Sequence, residues 1–198
     1  MKAYRIIKRA LDIILSGISI LVFLPLFLII AAIIKIESPG PVFFKQKRIG
    51  IHQSTFMIYK FRTMRTDTPK DMPTHMLENP EKYITKIGRF LRKSSLDEIP
   101  QVLNIFSGKM SIIGPRPALW NQYDLIKQRE IYHANSILPG LTGWAQVNGR
   151  DELEIPVKAK LDGYYVQHCS FLLDVRIFWY TIRNVVTTKG IVEGKSGE

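Results

Sequence analysis

Two adjacent carboxylates, Asp97 and Glu98, are the side chains of this sequence best suited to covalent chemistry on a phosphate. They lie in the segment 94–101, where Pro100 indicates the first turn of a helix because proline is tolerated there. A helix N-terminus stabilises anions, so we expect Asp97 to be ionised and a phosphate to bind beside it. An ionised carboxylate can attack phosphorus to form an acyl phosphate, while Glu98 moves a proton or helps to hold a divalent metal.

The same segment has a purely structural interpretation. Ser95 is followed three residues later by Glu98, which is the spacing of a capping box, and acidic side chains favour a first helical turn. Such a cap would leave the carboxylate of Asp97 available. Both interpretations therefore stand together.

Attack by a carboxylate on a phosphate requires positive charge to offset the repulsion between them. Nearby basic residues are Lys60, Arg62 and Arg92. Arg116 lies between two prolines, which restrict its backbone and favour a guanidinium aimed as a bidentate phosphate clamp, although an arginine in a surface turn is the alternative. Mg²⁺ suits such a site because it binds one or two carboxylates together with phosphate oxygens.

The glycine-rich segment 139–150 is the second candidate for substrate binding. It contains three glycines, which allow close approach of the backbone to a nucleotide or sugar, together with Gln146 and Arg150 as hydrogen-bonding side chains. Glycine and proline turns are also common in structures that bind nothing. Several other sites are excluded, since the sequence has no Walker loop, no Gly-x-Gly-x-x-Gly, no Asp-x-Asp and a single cysteine.

The elements that must hold these residues are a membrane segment and a small soluble domain. The formal charge is +11, and eight basic but only two acidic residues fall within the first 48. They flank residues 13–34, an apolar stretch without an ionisable side chain that is long enough to cross a bilayer. Such a charge distribution indicates a surface of anionic lipid rather than nucleic acid.

Pro25 lies in the middle of the apolar stretch and predicts a kink. Because basic residues flank both ends, a single span would carry one cluster across the membrane, against the positive-inside tendency. We therefore predict a re-entrant hairpin in residues 1–36, with a tilted and kinked single span as the alternative. Ser16 and Ser19 are the hydroxyls closest to the carbonyl that the proline would free near Leu21.

Residues 37–198 are predicted to form a small cytosolic catalytic domain, so that the whole fold is of the α+β class. Short apolar runs predict strands at 42–44 and 55–59, and helical periodicity predicts basic amphipathic helices at 82–92 and 171–186. These helices either lie on the membrane surface, with Trp179 and Tyr180 as interface anchors, or cover a core. Residues 66–80 are predicted to be a loop.

In this order and at this spacing, the segments resemble the small monotopic phosphoglycosyl transferases, a family of bacterial sugar transferases. The resemblance covers nearly the whole chain, and its most specific parts are KFRTM at 60–64, LR at 91–92, SLDEIPQ at 95–101, IGPRP at 113–117 and the loop at 139–150.

The resemblance implies an enzyme of the cytoplasmic face of the bacterial inner membrane. It would transfer a sugar-1-phosphate from a UDP-sugar to a polyprenol phosphate, typically undecaprenyl phosphate, and release UMP as the first membrane step of glycoconjugate synthesis. The family's nucleophile falls on Asp97 and its partner carboxylate on Glu98, with Mg²⁺ bound there, and its phosphate-binding arginines fall on Arg92 and Arg116. The family's membrane helix is broken at Ser-Pro, whereas this chain has Leu24-Pro25.

Two other functions are consistent with the composition. A non-enzymatic membrane-anchored scaffold would use the amphipathic helices to recruit a partner, and it would tolerate loss of Asp97. A membrane-tethered nucleic-acid binder is suggested by the pI near 9.8 alone, since no base-reading motif or aromatic stacking pattern is present, and we expect no nucleic-acid partner. The sugar, the glycan pathway and the oligomeric state stay open.

Overall fold

The computed structural model describes residues 2–69, 79–149 and 153–187 and combines helices with two small sheets, which confirms the α+β class. The helices are α1 (Lys2–Glu37), α2 (Lys86–Lys93), α3 (Val102–Phe106), α4 (Tyr123–Ile131), α5 (Trp144–Val147), α6 (Ile155–His168) and α7 (Phe171–Val186). The strands are β1 (Phe43–Ile49), β2 (Thr55–Phe61), β3 (Ser111–Ile113) and β4 (Gly140–Thr142). Short 3₁₀ helices cover Ile51–Gln53, Pro80–Lys82, Leu96–Gln101 and Ala134–Ser136.

The first sheet is an antiparallel hairpin of β1 and β2, in register from Phe43 opposite Phe61 to Ile49 opposite Thr55. Both predicted strands are confirmed and are longer than predicted, because pairing extends them along the hairpin. One face of β2 buries Phe56 and Ile58 against α3, and successive side chains of a strand alternate between faces. Lys60 shares that face at the end of the strand, whereas Phe61 packs on the other side against α1.

The second sheet pairs β3 with β4 in parallel, with Ser111 opposite Gly140 and Ile113 opposite Thr142. It places the segment after β3, which contains Arg116, beside the segment after β4, which leads into α5. Two stretches of sequence that contain candidate site residues are thereby brought together.

Helix α1 is the part of the described chain that is long and apolar enough to cross a membrane. It continues through Pro25 as one helix, and the kink predicted there stays a prediction. The hydroxyls of Ser16 and Ser19 bond the carbonyls of Asp12 and Leu15, one turn back in each case, and neither reaches Leu21. The re-entrant path therefore stays a prediction.

The N-terminal half of α1 is attached to the soluble domain by polar contacts. The Arg9 guanidinium donates to the carbonyl oxygens of Ile105 at 2.9 Å and Phe106 at 3.3 Å, at the C-terminal end of α3. Buried Asp12 accepts a hydrogen bond of 3.0 Å from the amide of Ile112 in β3. These contacts fix the beginning of α1 on the domain.

The C-terminal half of α1 is attached to the same domain at another place. Ile30 and Ile34 are buried in a cluster with Phe61 and Leu91. The carboxylate of Glu37 caps the N-terminus of α2 by accepting hydrogen bonds from the first amides of that helix. Between the two attachments, residues 21–25 are exposed.

The two predicted amphipathic helices have different outcomes. Helix α7 is confirmed over the whole predicted range, with Ile177 buried and Trp179 exposed. Helix α2 begins at Lys86, four residues later than predicted, since the residues before it form a 3₁₀ turn, and it buries Leu91 while Phe90 points outward. Most of the predicted loop at 66–80 lies outside the described residues.

Candidate active site

The two carboxylates lie in the 3₁₀ helix Leu96–Gln101, which packs against β2. This segment begins differently from the prediction, because Ser95 adopts a left-handed conformation (φ 57°) and its side chain caps nothing. The carboxylate of Glu98 accepts hydrogen bonds from the side chains of Lys60 and Arg116 and not from the amide of Ser95. The capping-box interpretation was therefore wrong, and the sharp turn at Ser95 directs both carboxylates toward the end of β2.

Lys60, which precedes Glu98 in sequence, and Arg116, which follows it, both bind the Glu98 carboxylate. Lys60 Nζ lies 2.7 Å from Glu98 Oε1. The Arg116 guanidinium donates to both oxygens of the Glu98 carboxylate, with Nη2 at 2.5 Å from Oε1 and Nη1 at 3.2 Å from Oε2. The structure thus brings together three residues that are 38 and 18 positions apart in sequence.

Asp97 is placed beside this group but is bonded differently. Lys60 Nζ lies 3.9 Å from Asp97 Oδ2, and no hydrogen bond from any described residue reaches the carboxylate of Asp97. Its side chain keeps 13% of its surface exposed, so a ligand can approach it. The neighbouring positive charges are those of Lys60, Arg92 and Arg116.

The two carboxylates have opposite electrostatic environments. Burial raises the pKa of Asp97, and the charge of Glu98 raises it further, while Lys60, Arg92 and Arg116 lower it. Burial would also raise the pKa of Glu98, but the charges and hydrogen bonds of Arg116 and Lys60 hold that pKa well below its usual range. A more basic carboxylate is a better nucleophile, so Asp97 is suited to attack and Glu98 to remain a permanent anion.

The start of the Arg116 segment is held by β4, the strand within the glycine-rich segment. The amide of Gly114 donates to Thr142 O at 2.8 Å, and the amide of Gly140 donates to Pro115 O at 2.9 Å. A Cβ at Gly140 would lie 2.1 Å from the Gly114 nitrogen. Glycine is therefore required here for the approach of one backbone to another, a role that the sequence had suggested for a nucleotide or sugar.

The other predicted site residues have contacts of their own. Gln146 follows the glycine-rich strand in α5, donates to Leu141 O at 3.1 Å, and has a buried Oε1 without a partner among the described residues. Arg92 lies in the last turn of α2, with its Nη1 3.7 Å from the Met64 sulfur. Arg150 lies outside the described residues.

Arg62 is not part of the cluster. It is buried at the C-terminal end of α1, where its guanidinium donates to Pro39 O at 2.6 Å and to Ser38 O at 2.7 Å. A Cβ at Gly40 would lie 2.2 Å from Arg62 Nη1, so the backbone at Gly40 packs directly against the Arg62 guanidinium. A role of Arg62 in binding substrate stays a prediction.

Sequence reasoning missed the buried pair of Arg129 and Asp162, which lies behind the Arg116 segment. A signal was present, because Asp162 occupies the buried stripe of α6 together with Ala159 and Val166. A charged residue at such a position is uncommon unless it is paired.

Comparison with known proteins matches this chain to one protein family. The family model described as bacterial sugar transferase matches residues 3–188. The sugar transferase EpsL of Bacillus subtilis is 38% identical over 186 residues, which cover 94% of this chain and 90% of that protein.

Two further relatives have names that state a reaction. A UDP-N-acetylgalactosamine-undecaprenyl-phosphate N-acetylgalactosaminephosphotransferase of Aeromonas hydrophila is 39% identical over 94% of this chain. A UDP-glucose:undecaprenyl-phosphate glucose-1-phosphate transferase of Escherichia coli is 38% identical over 90% of it. The matched regions make up 45% and 40% of those two longer proteins.

Proposed function

The chain belongs to the bacterial sugar transferase family, and on that basis we propose that it is a phosphoglycosyl transferase that moves a sugar-1-phosphate from a UDP-sugar to undecaprenyl phosphate. The relatives' names support the general reaction. The observation that supports the mechanism is the unequal pairing of the two carboxylates. Glu98 is bonded by two cations, whereas Asp97 faces the same cations without a hydrogen bond.

The reaction proceeds in two displacements at one phosphorus atom. An oxygen of Asp97 attacks the β-phosphorus of the UDP-sugar, the bond from that phosphorus to the bridging oxygen breaks, and UMP leaves. An oxygen of undecaprenyl phosphate then attacks the same phosphorus and Asp97 departs as a carboxylate, which leaves the sugar on a lipid diphosphate. Lys60, Arg92 and Arg116 offset the negative charge that meets at this phosphorus.

The donor set is compatible with a Mg²⁺ ion. The described residues contain no group of three or more metal-binding side chains, but two adjacent carboxylates match the usual protein contribution to a magnesium–phosphate site. Asp97 and Glu98 would hold the ion, which would neutralise charge on the diphosphate. Full loss of UMP release in excess chelator and its return with Mg²⁺ would support this assignment, whereas undiminished release would contradict it.

The covalent intermediate is tested by isotope exchange. With no lipid acceptor, wild-type protein is expected to exchange labelled UMP into UDP-sugar, because the first displacement is reversible. Asp97→Asn should abolish both exchange and turnover. Asp67→Asn is the control, since Asp67 is an exposed acid paired with Arg65. UMP release that strictly requires acceptor, with no exchange, would indicate direct transfer instead.

We also propose that α1 enters and leaves the membrane on the same, cytoplasmic side. Its support is that polar contacts attach both halves of α1 to the same domain, through Arg9 and Asp12 near one end and Glu37 at the other. A helix that crossed the bilayer would place one of these attachments on the far side or in hydrocarbon, where unpaired polar groups are costly. The exposed residues 21–25 would then be the part deepest in the lipid.

Cysteine labelling can test this topology. Ile6 and Ile36 are exposed near the two ends of α1, and Cys169, the sole cysteine, is replaced by Ser in both variants. In Ile6→Cys and Ile36→Cys, a membrane-impermeant maleimide should label both positions in inside-out vesicles and neither in right-side-out vesicles. Labelling of one position from each side would establish a single span.

The sugar is tested with a panel of donors. The two relatives with named reactions act on UDP-N-acetylgalactosamine and UDP-glucose, so these donors are the first to compare. UMP release with undecaprenyl phosphate is the readout. A donor that supports at least tenfold faster release than the others identifies the substrate.

A further inference from the structure

A buried ion pair lies directly behind the backbone of Arg116. Arg129 in α4 donates from Nε and Nη2 to Asp162 Oδ2 in α6, at 2.8 and 2.6 Å. The side chains of Arg129 and Asp162 are only 4% and 1% exposed. The remaining nitrogen, Nη1, donates to the main-chain carbonyl of Arg116 at 2.8 Å. One guanidinium thus joins two helices to the segment that supplies a cation to the carboxylate cluster.

A second arginine holds the next carbonyl of the same segment. Arg48 in β1 donates from Nη1 to Pro117 O at 3.0 Å. The adjoining backbone is also fixed, because the Ile49 amide donates to Ala118 O at 2.9 Å. The carbonyls of Arg116 and of the next residue, Pro117, are therefore bound from two different elements, while the Arg116 guanidinium binds Glu98.

A buried ion pair is a poor means of joining two helices, because apolar side chains of the same volume often stabilise a fold at least as well. The fork of an arginine does have one property that an apolar pair lacks, since it can fix a carbonyl and a carboxylate at the same time. We propose that Arg129, oriented by Asp162, is a positioning residue that sets the direction of Arg116 in the transferase site. This inference rests on the proposed function for its kinetic readout only.

The first test measures activity. Arg129→Lys keeps the charge beside Asp162 but cannot reproduce the fork. It is expected to lower kcat/KM for the UDP-sugar about 10- to 100-fold, as small misplacements of catalytic groups do. The matched control is Val166→Ala, which shortens a buried side chain one turn along α6 from Asp162. The control should keep kcat/KM within about twofold of the wild type, while its thermal midpoint falls about as much as that of Arg129→Lys.

A double-mutant cycle then separates positioning from general destabilisation. If Arg129 acts through Arg116, adding Arg129→Lys to Arg116→Ala should lower kcat/KM by less than about threefold further. If the double variant loses the full product of the two single effects, Arg129 acts independently and the proposal is wrong. Equal losses in Arg129→Lys and Val166→Ala would also overturn it.

Hydrogen exchange gives a readout that needs no activity. In Arg129→Lys, peptides that cover residues 111–120 should exchange at least several-fold faster than in the wild type, while Val166→Ala leaves them unchanged. Unchanged exchange in Arg129→Lys would refute the positioning role. A wild-type protein that turns over no UDP-sugar would contradict the proposed function, and exchange would still decide whether Arg129 holds this segment.

Discussion

Replacing Arg62 by Met should weaken the attachment of α1 to the soluble domain, and the size of the effect follows from its contacts. The guanidinium donates to Pro39 O, Ser38 O and Ser38 Oγ at 2.6, 2.7 and 2.8 Å. Hydrogen bonds from a charged donor contribute about 1.5–3 kcal/mol each. Removing the charge also removes the cost of burying it, so we expect a net loss of about 3 kcal/mol.

For a chain of this size, that loss corresponds to a fall in the thermal midpoint of about 6–12 °C. The measurement is thermal unfolding of the full chain in nanodiscs, followed by fluorescence, together with KM for the UDP-sugar. Arg89→Met is the matched control, since Arg89 is exposed on α2, and its midpoint should stay within about 2 °C of the wild type.

The outcome separates two roles for Arg62. If the residue attaches α1, the midpoint falls while KM for the UDP-sugar stays within about threefold of the wild type in protein that remains folded. If it binds substrate as the sequence predicted, KM rises at least tenfold and the midpoint barely moves. The second result would refute the reasoning from these contacts.

Three further outcomes are expected. Because burial raises the pKa of the Cys169 thiol, maleimide should modify it much more slowly than a free thiol at pH 8, and denaturation should restore the ordinary rate. A Cβ at Gly88 would lie 2.0 Å from Thr63 O, so Gly88→Ala should displace α2 and lower the thermal midpoint by at least 5 °C, roughly the effect of a small core clash. The depressed pKa of Glu98 means that its ion pairs stabilise the fold above pH 4.5, its ordinary pKa, and that this contribution is lost as the pH falls through the folded pKa. The unfolding midpoint of Glu98→Gln should therefore fall less than that of the wild type between pH 5 and pH 3, and equal slopes would contradict the pairing.

Local patterns in the sequence were sufficient to predict those elements of the fold whose structure depends on residues close in sequence. Short apolar runs predicted strands in β1 and β2, and helical periodicity predicted α7 over its full length. The presence of Lys60 and Arg116 near the carboxylates was suggested by charge alone, since attack by a carboxylate on a phosphate requires cations, but their ion pairs with Glu98 were not predicted. In each case the residue types themselves carried the information.

The errors arose where a distant partner decided the outcome. Ser95 and Glu98 have the spacing of a capping box, but Lys60 and Arg116 offer Glu98 stronger, charge-assisted bonds, and Ser95 turns the chain to permit them. The contacts of Arg62 were likewise not foreseen, because its guanidinium bonds carbonyls that lie more than 20 residues earlier; its role in binding substrate stays a prediction. Neither competition can be seen in a window of a few residues.

Charge in the cluster explains why a site of this kind would use a metal ion in addition to its side chains. Lys60, Arg92 and Arg116 surround Asp97 and Glu98, so the five groups together carry a single positive charge when both carboxylates are ionised. Under the proposed function, a UDP-sugar would bring a doubly charged diphosphate, and the lipid acceptor a phosphate of about −1.5 to −2. One excess positive charge is too little to offset either substrate, and Glu98 already engages two of the three cations. A divalent ion held by the same carboxylates, as proposed, would supply the missing charge without another buried arginine, whose desolvation would cost several kcal/mol.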